Sequence, residues 1–198
     1  DLLQLDSIPK IKLQTVFRQG SESTIVKLAN HIKDGKLPAD WRIKKDDYSY
    51  FEAGGSDIAL MVPKIVNAAL NKGISANDIQ ILCPMYKGEA GIHNLNSIMQ
   101  EYLNPRKGEE LQFEYAGNVY RERDRVLHLV NDLANGVSNG DVGFITDLIP
   151  AKDSESGQDE IWMNFSGKEI KYERSNWENI TLSYAISIHK SQGSEFPI

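Results

Sequence analysis

ITLSYAISIHKSQGSEF, residues 180–196, is the stretch that decides the fold. Its first half, 180–188, is apolar and rich in β-branched residues, which predicts one buried strand. Its second half, 189–195, places a histidine, a lysine, an amide, a glycine and a carboxylate directly beyond that strand. Ligands of open α/β sheets bind beyond the carboxyl ends of the strands. The stretch therefore predicts an α/β layer with a binding turn, although a solvated turn at Gly193 is the simpler interpretation of these residues alone.

Upstream of residue 109, predicted strands and helices alternate. The apolar residues of the helical segments recur at three- and four-residue spacing, and Gly35 and Gly73 follow two of these segments as helix-ending glycines do. Alternation of this kind favours an open α/β sheet. The predicted strands are 11–17, 48–51 and 79–84, and the predicted helices are 21–35 with Ser21 as N-cap, 57–70 and 91–103.

From residue 109 the pattern changes to that of a small all-β module. Helix-length apolar stripes disappear, and the turns Asn135-Gly136, Asn139-Gly140 and Ser156-Gly157 favour hairpins. The sequence therefore predicts three segments. Residues 1–108 form the first part of an α/β domain, 109–177 an inserted β-module, and 178–198 the return of the α/β layer.

The composition is that of a folded globular protein. Of the 198 residues, 40% are hydrophobic and 25% are charged, a mixture able to bury a core. The net charge of −6 excludes a domain that wraps nucleic acid with a basic surface, so any DNA contact must be local. Cys83 is the only cysteine, which excludes an internal disulfide or cysteine metal cluster and fits a reducing cytoplasm. No apolar run approaches membrane-spanning length, and residues 1–4 do not resemble a signal peptide.

Four segments resemble, in order, the motifs of the RecD-like superfamily 1 DNA helicases, the family of the exodeoxyribonuclease V alpha subunit and its RecD and TraA relatives. The match at 184–196 to their motif V is nearly continuous. Residues 15–19 resemble motif IV of these helicases. The next conserved block is matched by residues 82–91, 95–96 and 103–105. A signature of their inserted barrel is matched by residues 120–126, 131 and 139–143. The resemblance implies the second RecA-like motor domain, an α/β parallel-sheet fold of the P-loop NTPase type, with an inserted SH3-like all-β barrel.

The resemblance implies that the full-length protein is an ATP-dependent DNA helicase that translocates on single-stranded DNA in recombination and repair. This chain would supply the second wall of the ATP cleft and part of the single-strand track. It contains neither motif VI nor a GxxxxGK[ST] loop. In this class of motor, that loop holds the nucleotide phosphates. ATP and magnesium would be bound mainly by the first RecA-like domain, outside this chain, and the chain alone is expected to be inactive. Other subunits of a recombination complex are further expected partners.

The resemblance also assigns roles to individual residues. Arg18 would be catalytic, reaching the γ-phosphate with its guanidinium fork, although alone it would more simply pair with a carboxylate. Gln192, Gly193 and Glu195 would contact the nucleotide, and no residue is assigned to a metal. The residues expected near the DNA backbone are Ser187, His189, Lys190, Tyr86, Lys87 and Asn96, of which Asn96 has helix capping or packing as an alternative.

Three alternatives stay open at this stage. The first concerns three arginines of the barrel, Arg121, Arg123 and Arg125, which suit a barrel that faces DNA. Because they alternate with Glu122 and Asp124, they equally suit a solvated strand edge. The chain also fits a fragment of a TraA-like conjugation helicase. From another class of function, it fits a non-catalytic module that docks a protein in a recombination complex.

Overall fold

The computed structural model describes Pro9 and residues 23–198. It forms two compact units, Asp1–Ala53 and Gly54–Ile198. The predicted strand 11–17, the predicted cap Ser21 and the candidate catalytic Arg18 lie outside the described residues. Within the described part of the chain, no helix is long and apolar enough to span a bilayer.

The described part of the first unit contains helix α1, Thr24–Lys33. Ser23 is its N-cap, and the Ser23 hydroxyl accepts a hydrogen bond from the Val26 amide at 3.4 Å. The carboxylate of Asp47 also accepts from the amide of Thr24 at 2.8 Å, and hydrogen bonding, first of all from the Thr24 hydroxyl, lowers the Asp47 pKa to about 2. No residue of α1 is buried, and the predicted strand at 48–51 is irregular chain.

The second unit is described throughout, and it contains two α-helices and nine strands. Helices α2 and α3 begin and end within two residues of the bounds predicted from apolar periodicity. The elements are α2 (Gly55–Leu70), β1 (Ile81–Cys83), α3 (Ile92–Leu103), β2 (Gln112–Tyr115), β3 (Asn118–Arg121), β4 (Arg125–His128), β5 (Val142–Ile149), β6 (Glu160–Phe165), β7 (Lys168–Glu173), β8 (Ile180–Leu182) and β9 (Ala185–Ser187).

Strands β1 and β9 form a two-stranded parallel sheet, in which Ile81 pairs with Ala185 and Cys83 with Ser187. Beneath this pair, Cys83 and Ala185 pack with Ile92 and Leu95 of α3 in a small apolar cluster. All the other strands lie between β1 and β9 in the sequence. An antiparallel module is therefore inserted between two strands that pair with each other.

The inserted strands form a five-stranded antiparallel sheet in the order β7-β6-β5-β4-β8, together with a separate β2–β3 hairpin. Its core centres on Trp177, which is fully buried and stacks on Phe113 with ring centroids 5.3 Å apart. The Trp177 indole also donates to the Tyr172 carbonyl at 2.9 Å. Val66 of α2 and Met99 of α3 belong to the same core, so the helices pack directly against the module.

The prediction of one continuous strand over 180–188 is wrong. Strand β8 pairs with β4 in the antiparallel sheet, and β9 pairs with β1 in the parallel one. Between them, the Ser183 amide donates to the Arg125 carbonyl at 2.9 Å. The antiparallel sheet therefore extends to Leu182, past the predicted boundary at residue 177, because the chain changes sheets at Ser183 and Tyr184.

Candidate functional site

Two loops leave the same edge of the parallel pair. Since Cys83 and Ser187 are register partners, the loop 84–91 after β1 and the turn 188–193 after β9 begin side by side. The Ile188 amide donates to the Cys83 carbonyl at 3.3 Å, which extends the pairing into the turn. The structure thus places the two predicted DNA-facing segments at the carboxyl ends of neighbouring strands, where α/β sheets bind ligands.

The loop after β1 folds back on its own backbone before α3 begins. The Ile92 and His93 amides donate to the Met85 and Tyr86 carbonyls at 3.1 and 3.2 Å. Tyr86 is 55% exposed, its ring lies 6.1 Å from that of His93, and Lys87 is exposed as well. The loop therefore holds an aromatic ring and an ammonium group outward on a tightly folded backbone.

Gly91 is required for this fold because the loop backbone passes very close to it. A Cβ atom at this position would lie 2.5 Å from the Lys87 carbonyl oxygen and 2.7 Å from that of Tyr86, closer than non-bonded atoms pack. We expect Gly91→Ala to destabilise the chain by about 1–3 kcal/mol, because the loop must move. Urea denaturation measures this change.

Gly55→Ala is the matched control for Gly91→Ala. Its Cβ would meet the nearest atom, a Glu89 carboxylate oxygen, at 3.4 Å, and it lies in the first turn of α2. We expect a change within about 0.5 kcal/mol. An equal loss of stability in both variants would remove the close approach at Gly91 as the explanation.

The turn after β9 is organised by Ser187. The Ser187 side chain is buried, and its hydroxyl oxygen accepts from the Lys190 amide at 3.2 Å. The Ser187 carbonyl accepts from the amides of Lys190 and Ser191 at 3.0 and 3.2 Å. In this structure Ser187 shapes the turn, while His189 is exposed beyond it.

Lys190 connects this turn to the inserted module. Its ammonium group donates to the Asn139 side-chain oxygen at 2.7 Å, in an exposed contact. The Asn139 backbone amide in turn donates to the Asn131 side-chain oxygen at 2.9 Å. Because the partner of Lys190 is a neutral amide, the lysine keeps its positive charge available at this edge.

The three residues predicted to contact nucleotide lie on the exposed chain that follows. Gln192 and Gly193 belong to the turn, and Glu195 lies in the extended segment after it; all three are exposed. Gly193 has φ of +91° with open space around it, so the backbone angle, and not crowding, favours glycine here. These residues follow directly on the segment that carries His189 and Lys190.

Asn96 is corrected from a DNA-facing residue to a positioning residue. It is 2% exposed, and its amide donates to the Leu182 and Ala185 carbonyls at 3.3 and 3.0 Å. Its side-chain oxygen accepts from the Ala185 amide at 2.9 Å. A side chain so buried and so fully bonded holds β9 against α3, which was the packing alternative considered for it.

Sequence reasoning missed the buried carboxylate of Asp124, since both alternatives left open for this segment, a DNA-facing barrel and a solvated strand edge, put it at the surface with Arg125. Asp124 is fully buried, and Arg125 is 6% exposed. The Asp124 carboxylate accepts hydrogen bonds from the side chains of Gln100 (2.5 Å), Asn104 (2.8 Å) and Tyr184 (2.9 Å) and from the Arg121 amide (2.7 Å). It thereby ties α3, the end of β3 and the chain between β8 and β9 together.

Burial acts on the ionisation of this cluster. It raises the pKa of Asp124 above its ordinary value, although the four donors oppose the shift. The pKa of the Tyr184 phenol is also raised, by burial first and then by the neighbouring carboxylate. Among the residues that the structure describes, no group of three histidine, cysteine, aspartate or glutamate side chains is arranged to hold a metal ion.

Comparison with known proteins finds similarity to DNA helicases. Residues 95–165 match the family described as the ATP-dependent RecD-like DNA helicase SH3 domain. The chain is 29% identical to the ATP-dependent RecD2 DNA helicase of Deinococcus radiodurans over 95% of its own length and 24% of that protein. It is 28% identical to the RecBCD enzyme subunit RecD of Buchnera aphidicola over 59% of its own length and 19% of that protein. The chain thus spans about a quarter or less of these relatives.

A solved structure shares the fold. The Pif1 helicase from Bacteroides in complex with ADP-AlF3 and single-stranded DNA has a TM-score of 0.52 and 20% identity, covering 94% of this chain and 44% of the helicase. At that identity the likeness concerns the mixed α/β fold alone. The resemblance first inferred from four sequence motifs is confirmed: residues 95–165 match the SH3 domain of RecD-like DNA helicases, and the chain is similar to a RecD2 helicase over 95% of its length and to a RecD subunit over 59%.

Proposed function

We propose that this chain is part of an ATP-dependent DNA helicase, in which it forms one wall of the ATP cleft and part of a single-strand track. In this proposal the β1–β9 layer belongs to the second RecA-like motor domain, and the antiparallel module is an SH3-like barrel inserted into it. One observation carries the proposal. The parallel register of β1 and β9 brings the 84–91 loop and the 188–193 turn to one edge, although about a hundred residues separate them.

The nucleotide half of the site would be the exposed segment at Gln192, Gly193 and Glu195. A carboxylate and an amide suit the hydroxyl groups of a ribose, which both donate and accept hydrogen bonds. ATP hydrolysis would supply the free energy for translocation. The residues of this chain would orient the nucleotide against the first motor domain, where ATP and magnesium are mainly bound in this proposal.

The DNA half of the site would combine Lys87 and Lys190 with the exposed Tyr86 and His189. Ammonium groups neutralise backbone phosphates without reading sequence, and an exposed aromatic ring offers a stacking surface to an unpaired base. Two lysines at one edge supply the local positive charge that a chain of net charge −6 lacks overall. Ser187 and Asn96 act behind this surface by fixing the turn and the strand.

The salt dependence of single-strand binding tests this surface. Each phosphate contact with single-stranded DNA contributes about 0.7 to the slope of log affinity against log salt concentration. We expect the double variant Lys87→Ala, Lys190→Ala of the protein that carries this chain to lower the slope by about 1.4, as measured by fluorescence anisotropy with an oligothymidylate.

Lys152→Ala serves as the control for the loss of a lysine. The Lys152 side chain is 80% exposed and lies in the turn between β5 and β6, where its nearest carboxylate is Asp153 at 3.9 Å. This variant should keep the full slope. A double variant whose slope also stays unchanged would show that the shared edge of β1 and β9 is not the DNA track.

A further inference from the structure

Among the residues that the structure describes, Arg125 is a buried cation without a countercharge. Its side chain is largely enclosed, and among the described residues no carboxylate lies within 4.0 Å of its guanidinium group. One guanidinium nitrogen donates to the Ile79 carbonyl at 2.8 Å, and the Phe196 ring lies 5.8 Å away. The Nε atom is buried and has no hydrogen-bond partner. Buried charges in proteins are normally paired, so this arrangement requires explanation.

The carboxylate next to it in sequence does not fill this role. Asp124 already accepts four hydrogen bonds from α3, β3 and Tyr184, and it forms no ion pair with Arg125. Burial lowers the Arg125 pKa from its ordinary value. The guanidinium group therefore keeps hydrogen-bonding capacity that the described residues leave unsatisfied, and Arg125 is one of the residues that line a cleft.

That cleft has a volume of about 230 Å³ and carries basic but no acidic side chains in its lining. Lys107 and Arg123 contribute the other two cations, and Asn77, Asn104 and Tyr184 contribute polar groups. The Arg123 guanidinium lies 3.4 Å from the Glu110 carboxylate, and both side chains are about half exposed. Such an exposed pair is weak, so it leaves Arg123 able to turn toward the cleft.

The cleft lies at the opposite end of the parallel pair from the proposed DNA edge. Its lining includes Ala76 and Asn77, which precede β1, and Tyr184, which immediately precedes β9. The loops 84–91 and 188–193 follow the other ends of the same strands. The cleft is therefore distinct from the proposed DNA edge, and its existence does not depend on the proposed helicase function.

We propose that this cleft binds a phosphate group, with Arg125 as the buried anchor and Lys107 and Arg123 at the opening. A guanidinium group has the planar donor geometry that phosphate oxygens accept, and two further cations suit an anion that carries more than one negative charge. The phosphate group belongs either to free inorganic phosphate or to a nucleic acid backbone. Both sources present negatively charged, non-bridging phosphate oxygens to the three cations.

Thermal unfolding of the full chain with increasing inorganic phosphate, at constant ionic strength, tests the site. The melting temperature of the unmodified chain should rise, because a ligand that binds only the folded state stabilises it. Lys107→Glu should weaken the apparent phosphate affinity at least tenfold, and Arg125→Met should abolish the phosphate-dependent rise. Lys152→Glu introduces the same charge change as Lys107→Glu outside the cleft and should retain the rise.

The outcomes separate the two sources of the phosphate group. If a short DNA duplex competes with phosphate, and Lys107→Glu weakens duplex binding tenfold more than Lys152→Glu does, the group belongs to a nucleic acid backbone. If the two variants bind the duplex equally while their phosphate responses still differ, the ligand is free phosphate. An equal phosphate response in the unmodified chain, Lys107→Glu and Lys152→Glu would overturn the proposal, whether or not Arg125→Met folds.

Discussion

Asp124→Ala is expected to destabilise the second unit by at least about 3 kcal/mol, because it leaves four donors without their acceptor in a buried environment. The donors belong to Gln100, Asn104, Arg121 and Tyr184, which lie on three different parts of the chain. Each buried donor left unsatisfied costs about 1–3 kcal/mol, and relaxation around the cavity keeps the sum from being additive. Urea denaturation followed by tryptophan fluorescence measures the loss.

Two variants make this expectation specific. Asp124→Asn keeps the shape of the side chain and one acceptor oxygen, but it places an NH2 group against the groups that donate to Asp124. Its loss of stability should therefore lie between those of Asp124→Ala and the unmodified chain. Asp153→Ala removes a carboxylate whose side chain is 60% exposed and should change stability by less than about 0.5 kcal/mol. Equal stabilities for Asp124→Ala and Asp153→Ala would refute a central role for the buried carboxylate.

On the proposed function, Arg18→Ala in the full-length protein is expected to lower the ATPase rate on the order of a thousandfold, while affinity for single-stranded DNA changes less than about twofold. The expectation comes from the resemblance of residues 15–19 to motif IV, since Arg18 lies outside the described residues. A guanidinium aimed at the γ-phosphate stabilises charge that develops during phosphoryl transfer. Single-turnover hydrolysis with and without DNA measures the effect.

Arg42→Ala is the matched arginine control. Its side chain is 59% exposed and lies 4.0 Å from Glu52, within the same unit of the chain, so both the ATPase rate and DNA affinity should be retained. Preserved turnover in Arg18→Ala would remove this residue from the catalytic machinery. Loss of DNA affinity together with turnover would instead point to a folding defect.

The parts of the fold that follow from local pattern were predictable from the sequence. Helices α2 and α3 follow from three- and four-residue apolar spacing, because one face of each helix is buried whatever packs against it. The division of 180–188 into β8 and β9 was not predictable in this way. Both halves are apolar, and only the partners β4 and β1, distant in sequence, decide that the chain changes sheets at Ser183 and Tyr184.

In the candidate site as well, residues with a local sequence signal could be predicted, and residues placed only by tertiary contacts could not. The exposed turn at His189 and Lys190 was found because polar residues follow an apolar strand. The burial of Asn96 had a local signal, since this residue lies on the helix face of Ile92, Leu95 and Met99, and that spacing outweighs its polarity. Asp124 had no such signal, because its four donors converge only in the folded chain.

The parallel pair has a consequence for how the chain assembles. Leu82 pairs with Ile186, 104 positions later, and closing a flexible loop of that length costs about 4 kcal/mol of chain entropy beyond a constant. The hairpins β5–β6 and β6–β7 close far shorter loops. Once β8 has joined the antiparallel sheet, only two residues separate its end from Ala185. We therefore expect the hairpins to form early and the edge with its two loops to be completed last. Any substitution that slows closure of the inserted sheet delays the edge as well, even when it touches neither loop.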